Sequence, residues 1–588
     1  MTLLCRRAIP ITLVLVGCGA SKEDAGTFGA GDTGASGAVD DGSAGSTMTT
    51  SATTAPSDDT GGPPPEDEME ADFRVPRASG RFVYSASELT DSVAVIDSSN
   101  LAIDVVAVGR GPTVVVPIMG SDEGRVAVLD QGSNDVALVS TTAGFTTTVE
   151  VRDATAGANN LAVSPDGAFV FVYHDVDGPE ALGAGSDQEL TVLDVAGGGT
   201  YAMTVGAHPR EIVFASDSSR AYVVTDDGVN VVPIAELGAL DKPDVVPVVV
   251  DPAIDPSTVE IHVAADRDVA LSRIEGEREI VATDLVSRAQ FVFDLPDIPT
   301  DLDLAPDGSF AILTTPSTAG SRFYELALPV DGSTQAVPYE LPEEYVGLAQ
   351  ISPEAGAIVL FTTVDPFIDG APPPGGTSGG TTSESGSDSG SSSDSGSSTS
   401  GGESSTGEPG DVGGVPSDRD PRQRVTLVRR SGDGWGEAIT LFVDDPILAV
   451  GIAPDGANAM LLHDYSLTGE QPPYGYTLLD LTKTFPVKKH QRIEVAAGAI
   501  LFTPQGDRAA VLLRDDTLAV QRLDLVDLRS FIVTSLPLGS PPEGAGYVDA
   551  TAKIFVSQEH PTGRITFIAG DGGVETVTGY RLNDAVKD

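Results

Sequence analysis

Apolar residues along this chain come in short runs separated by clusters of Gly, Pro, Asp and Ser, and the 3.6-residue spacing of an amphipathic helix is weak throughout. Runs of this kind, rich in Val, Ile, Leu and Phe and bounded by turn residues, predict short β-strands. One phrase recurs: LAVSPDG (161–167), LDLAPDG (302–308), ISPEAG (351–356), GIAPDG (451–456) and LFTPQG (501–506). FVFVY, FAILTT, AIVLFTT, AMLL and AAVLL follow the five copies in turn. In Pro-Asp-Gly the proline presets φ, the carboxylate caps nearby amides and the glycine accepts a positive φ, so each copy predicts strand, tight turn, strand.

Weaker copies fill the gaps at Ala78-Ser79-Gly80, Ser121-Asp122-Glu123-Gly124, Ser216-Asp217-Ser218, Asp266-Arg267-Asp268 and near Ala550. Taking the acidic turn residue as marker, Asp122, Asp166, Asp217, Asp266, Asp307 and Glu354 are 44, 51, 49, 41 and 47 residues apart, and Asp455 to Gln505 is 50. That is the period of a four-stranded propeller blade. Each period holds two further short strands, for example SVAVID then DVVAVG, ELTVLD then YAMTVG, and LAVQRLD then SFIVTSL. Ten units fit between Asp72 and Asn583, more than the four to eight blades usual in this architecture. The expectation is an all-β chain folded as a β-propeller of four-stranded blades, with either an unusually large ring or some units that are not blades. A β-sandwich gives no single turn phrase at constant spacing.

The phrase, the run after it, a strand ending in Asp, and Gly-x-x-Pro before the next unit resemble the YVTN-type β-propeller repeats; Gly109-Arg110-Gly111-Pro112 and Gly206-Ala207-His208-Pro209 carry the last element. The resemblance spans nearly all of residues 71–588 and implies a fold more than an activity, since such propellers range from binding scaffolds to lactone hydrolases.

The first residues address the chain. Arg6 and Arg7 precede an apolar run from Ala8 to Val16, the length of a signal-peptide core and too short to span a bilayer. Leu15-Val16-Gly17-Cys18 resembles the bacterial lipobox, which implies removal of residues 1–17 and acylation of Cys18; Gly19 after it implies sorting to the outer membrane. Cys5 lies in the leader, so no thiol remains in the folded part and no disulfide forms there. Residues 18–70 are Gly, Ser, Thr, Ala, Asp and Pro with almost nothing to bury, and read as a disordered stalk. A Ser/Gly-rich insertion of the same character occupies residues 369–420 inside the repeats. With 87 acidic and 34 basic residues the net charge is −53, which sets the protein against nucleic acid and anionic headgroups and favours solubility or a loose hold on divalent cations and basic partners.

In YVTN-like blades the Pro-Asp-Gly turn lies on one face of the disc. The opposite face carries the loop into each inner strand and the connection from second to third strand, and ligands commonly sit there over the channel. Seven residues beyond the turn glycine stand Gln131, His174, Thr315, Thr363 and His463, all polar. His174 is followed by Asp175 and His463 by Asp464, and the last unit has Gln558, Glu559 and His560 at the corresponding place. The loops into inner strands contribute Arg110, His208, Arg210, Asp297, Glu343, Glu344, Asp444, Asp445 and Glu543. Such a rim suits a divalent cation or a polar ligand if its members converge; strand ends meeting water look the same.

No CxxCH, Cys pair, Walker phrase, GxGxxG or EF-hand loop is present, and the one GxSxG, Gly376 to Gly380, falls in the insertion. The function expected is that of a membrane-anchored binding or protein-interaction scaffold of the cell envelope, with a protein or small molecule as ligand. The alternative left open is a lactonase-like hydrolase or lyase with a divalent metal at the channel face.

Overall fold

The computed structural model describes residues 77–363 and 424–580, apart from short breaks at 89, 120–122, 177, 179–184, 251–252, 318–319, 342–345, 433, 444–446, 466–470, 484–485 and 516–517. The leader, Cys18, the 18–70 segment and the 369–420 insertion lie outside the described residues.

All the units are blades. The strands form ten antiparallel sheets, each built from consecutive strands paired in sequence order. The first blade is Arg77–Ser79, Phe82–Ser87, Ser92–Asp97 and Ile103–Ala107, and the tenth is Pro542–Val548, Lys553–Gln558, Arg564–Ala569 and Val574–Thr578. In the seventh blade Arg424–Ser431 pairs with both Gly434–Trp435 and Ile439–Phe442, so that sheet has five strands. Among the described residues there is no α-helix, only four 3-10 turns.

Burial explains why these runs form strands. Both faces of every blade are covered by neighbours, so the middle strands are apolar without alternation: Val93, Ala94, Val95 and Ile96 are all buried, as are Val126 to Leu129. Outer strands, with one edge in water, alternate instead, as in Thr147–Asp153 and Ile532–Pro537. The core is ten separate apolar clusters, each shared by two successive blades, the last joining blade ten to blade one. This closes one ring of ten. The first strands of neighbouring blades lie against one another and form the inner wall.

The turn phrase folds as its chemistry predicts. In the third blade Gly167 sits at φ +68°, its amide donates to the Ser164 carbonyl at 2.8 Å, and Asp166 accepts from the Ala168 amide at 3.0 Å. The same left-handed position is filled by Gly80, Gly308, Gly456 and Gly506, and by the non-glycines Ser218, Asp268, Ala355 and Ala552. Turns therefore cap the inner strands at one end of the ring, and the loops leading into those strands gather at the other.

Candidate functional site

At that second end, blades three to five bring ionisable groups together. The inner strand of the third blade, Asn160–Val163, starts opposite Tyr173, the last residue of the second strand Phe169–Tyr173. The chain beyond Tyr173 is held by side-chain amides. Asn159 accepts from the Asp175 amide at 2.7 Å and donates to the Asp175 carbonyl at 2.8 Å, while Asn160 donates to Asp175 Oδ2 at 3.3 Å. His174 Nδ1 lies 3.0 Å from the Gly157 carbonyl, which only accepts, so Nδ1 carries the proton in this contact.

In the fourth blade, Asp226 clamps the loop that leads into the inner strand Glu211–Phe214. Its two oxygens hold His208 Nδ1 and an Arg210 terminal nitrogen, each at 2.6 Å. His208 adopts a left-handed φ of 50°, and the amides of Gly206 and Ala207 donate to Asn230 and Asp227. The loop also reaches its neighbours: His208 Nε2 lies 4.0 Å from Asp187 of the third blade, and Arg210 donates to the Pro256 carbonyl of the fifth at 3.4 Å.

Five residues of this wall fall outside the loop and offset positions singled out from the sequence: Tyr173, Glu211, Glu260, His262 and Arg273. Glu260 and His262 stand two apart on the inner strand of the fifth blade, Val259–Ala264, and so share a side of it. Glu260 accepts from His262 Nε2 at 2.8 Å and from Arg273, its cross-strand partner, at 2.5 Å. Arg273 continues to the Pro299 carbonyl of the sixth blade at 3.2 Å. Burial works against both charges, but the His262 and Arg273 partners outweigh it and hold Glu260 below the usual carboxylate range. For the same reason His262 sits above the ordinary histidine value, its cation sustained by Glu260 and the field of Glu211.

Glu211 differs. Burial pushes its carboxyl up to about 7, opposed by the His262 cation, and among the described residues its side chain accepts no hydrogen bond. Tyr173 is pushed well above the usual phenol value by burial first, then by the negative field of Asp175 and Glu211.

For Glu211, Glu260 and His262 the sequence signal was present: these are ionisable residues on the first strand of a repeat. The same strand is uncharged in the eighth blade, Ile447–Ile452, and the ninth, Ala497–Phe502. The inner strands thus carry ionisable groups in some blades and none in the eighth and ninth.

The remaining candidates do not join this arc. His463 is 1 % exposed and its Nε2 lies 2.7 Å from Thr477 Oγ1, which in turn meets His490 Nδ1 at 3.0 Å. This relay sits within the eighth blade, half a ring from His174 in the third, and Asp464 ends the same strand. Glu559 pairs with Arg514 of the ninth blade at 2.5 Å, and His560 Nδ1 closes its own turn on the Thr562 hydroxyl at 3.0 Å. Gln131 and Thr315 are buried, Asp297 pairs with Arg322, and Glu543 accepts from Ser557. Glu343, Glu344, Asp444 and Asp445 lie outside the described residues. Among the described residues no group of three or more His, Cys, Asp or Glu is placed to hold a metal ion. What the blade three-to-five wall offers is donors and acceptors of both signs held rigidly side by side, with one carboxyl in reserve.

No family model and no curated protein matches this chain. Solved structures that resemble it include the following, each at low identity. A eukaryotic initiation factor has 12% identity and a TM-score of 0.45, over 85% of this chain and 97% of that one. The dihydro-heme d1 dehydrogenase NirN has 15% identity and a TM-score of 0.36, over 82% of each chain. A Bacteroides uniformis protein described as a 6-phosphogluconolactonase has 14% identity and a TM-score of 0.30, over 68% of this chain and 91% of that one.

Proposed function

We propose that this protein is an exported lipoprotein whose ten-bladed propeller serves as a binding scaffold at the cell envelope, taking a polar ligand on the channel wall of blades three to five. The observation that carries the binding site is two adjacent carboxylate-centred sets, Asp226 with His208 and Arg210 and Glu260 with His262 and Arg273, which the His208–Asp187 and Arg210–Pro256 contacts tie to blades three and five. Such a wall is rigid before a ligand arrives, so little ordering cost attends binding. Nothing in it resembles a nucleophile activated by a base, which favours recognition over turnover.

The leader Arg6 to Val16 and the lipobox ending at Cys18 support an anchor in the outer membrane, with residues 18–70 as stalk. A flexible coil of about 50 residues spans roughly 40 Å, enough to hold the ring clear of the headgroups.

Two measurements test the reading. Labelling of cells with a palmitate analogue is expected to mark the protein and to fail for Cys18→Ala; retention of the label in that variant contradicts the anchor. A thermal-shift screen of polar metabolites on the purified lipoprotein is expected to find ligands whose effect vanishes in Arg273→Ala. Saturable, metal-dependent cleavage of a lactone would replace the scaffold with an enzyme.

A further inference from the structure

We propose that a cleft where the seventh and eighth blades meet binds a small organic acid, its anionic head on the Lys488 ammonium and its apolar body against Val443 and the His490 ring. This site is separate from the channel wall of blades three to five. The cleft is half open, has a volume of about 270 Å³ and is lined by Val443, Thr477, Lys488 and His490. Pockets for small molecules run from about 300 Å³ upward, so a space of this size takes a molecule of few heavy atoms. Val443 follows the last strand of the seventh blade, Ile439–Phe442, and belongs to the apolar seam between the two blades. The other three stand on the third and fourth strands of the eighth blade, Tyr474–Asp480 and Lys488–Ile493.

The polar wall is fixed from behind. Thr477 stands directly across from His490, and its Oγ1 lies 3.0 Å from His490 Nδ1 and 2.7 Å from Nε2 of the buried His463. A hydroxyl has one proton to give, so at least one of the two imidazoles donates to it. His490 Nε2 meets the Tyr465 hydroxyl at 3.5 Å, and the Arg492 guanidinium covers the Tyr465 ring, 3.4 Å from its centroid. Gly475 leaves room for this stack: a Cβ there would lie 3.0 Å from His490 Cε1 and 3.1 Å from Tyr465 Cε2. The ring of His490 is thus in place before a ligand arrives, which spares the cost of ordering it.

Charge decides what fits. The chain carries −53 overall, yet three of its seven lysines fall between positions 483 and 489. Elsewhere Arg81, Arg322 and Lys553 each sit on a carboxylate, that of Asp97, Glu340 and Glu575 in turn. Lys488 and Lys489 instead donate to the backbone carbonyls of Phe442 and Phe531, and among the described residues neither meets a carboxylate. Asp480 and Glu494, at the ends of these strands, are engaged by Lys483 at 3.8 Å and by Arg522 at 3.0 Å. A carbonyl takes one proton of an ammonium and none of its charge, so Lys488 keeps donors and a positive field for an oxyanion. An amine would meet that field as a like charge. Val443 adds an apolar surface that a short alkyl chain covers and a hydrated inorganic ion does not.

Calorimetry on the purified full-length protein in a non-ionic detergent tests this with butyrate, butyl phosphate, n-butanol and n-butylamine. At least one of the two acids is expected to bind saturably, and the tighter of them tells whether a carboxylate or a phosphate heads the ligand. Because Lys488 is exposed, that affinity should fall as sodium chloride rises. Lys488→Gln should weaken the acid by about tenfold or more, the worth of a charge-assisted hydrogen bond, while its melt confirms the fold. Lys488→Arg should keep part of the affinity. Lys242→Gln, which removes an exposed lysine of the fourth blade and the same unit of net charge, should change little. Acid binding undiminished in Lys488→Gln, an equal loss in Lys242→Gln, or alcohol or amine binding as tight as the acids overturns the proposal. So does silence of both acids on folded protein. Acid binding that disappears in Arg273→Ala overturns it in favour of the channel wall.

Discussion

Single residues in this ring are governed by how little room the repeat leaves them. Asp130 ends the second strand of the second blade, Gly124–Asp130, and Asp135 opens the third, Asp135–Thr141, directly across from it. Both carboxyls crowd Gly109, where an added Cβ would lie 2.2 Å from Asp135 Oδ1 and 2.7 Å from Asp130 Cβ. Asp130 is fully buried, and burial, then the neighbouring Asp135 and Asp91, push its carboxyl up to about 8. The two acids act as one unit that shares a proton. A folded-state value raised above the unfolded one contributes stability that is complete in acid and lost as pH climbs through the folded value. Asp130→Asn, which keeps a donor toward Asp135 without a titrating proton, is therefore expected to gain most over the parent at pH 8 to 9 and least near pH 4. Thermal melts across that range check it, and a difference independent of pH contradicts it.

At the scale of the element, the turn between inner and second strand is the unit that the sequence displays most openly, because its demands are local. A residue at its left-handed position must accept φ near +60°, which costs a side chain about 1 kcal/mol relative to glycine. Ala552 holds that position at φ 50° in the tenth blade and Gly167 at φ +68° in the third. Ala552→Gly should raise stability by up to about 1 kcal/mol. Gly167→Ala should lower it by about 2 kcal/mol or more, since its Cβ would come within 2.1 Å of the Met119 carbonyl oxygen. Denaturant melts that gave both changes the same sign would refute this account. Strand pairing was as legible as the turns, because middle strands buried on both faces are continuous apolar runs. The ionisable inner strands were harder to see. Glu260 and His262 interrupt one run at alternate positions, which in one dimension looks like a strand with one wet face, and Glu211 opens its run as any polar strand end would.

On the scale of the whole molecule, the ring closes without exchanging a strand between its ends. Blades one and ten are each complete from consecutive strands. Their union is an apolar seam of Val83, Ile96, Val105, Phe555 and Phe567 with Tyr580, plus a 2.8 Å contact between the Ser98 and Thr551 hydroxyls and a Lys553 ammonium on the Ser98 carbonyl. Nine seams hold blades that the chain already links; the tenth holds two that nothing else links. Phe567→Ala is expected to cost about 3–5 kcal/mol and to make both terminal blades sensitive to protease before the rest. Its counterpart Phe171→Ala, in the seam of blades three and four, should cost as much without that selectivity. Equal cleavage patterns in the two variants would show that the closing seam has no special place.

The sequence by itself determined the strands, the turns and the period, because each rests on residues close together in the chain: a proline and glycine at fixed offset, an apolar run covered on both sides; that all ten repeat units are blades of one ring was decided by the structure. It also singled out His174 and His463 at one offset from their turns. Only the tertiary structure decided what each does. A ring of ten places the third and eighth blades on opposite sides, so equal offsets do not bring those histidines to one point, and His463 turns into its own blade toward Thr477. The wall that does assemble sets His208, Arg210 and Glu211 of the fourth blade beside Glu260 and Arg273 of the fifth, with Arg210 reaching the Pro256 carbonyl across the boundary between them. Contacts between residues some fifty apart depend on how consecutive blades pack, and no local pattern records that.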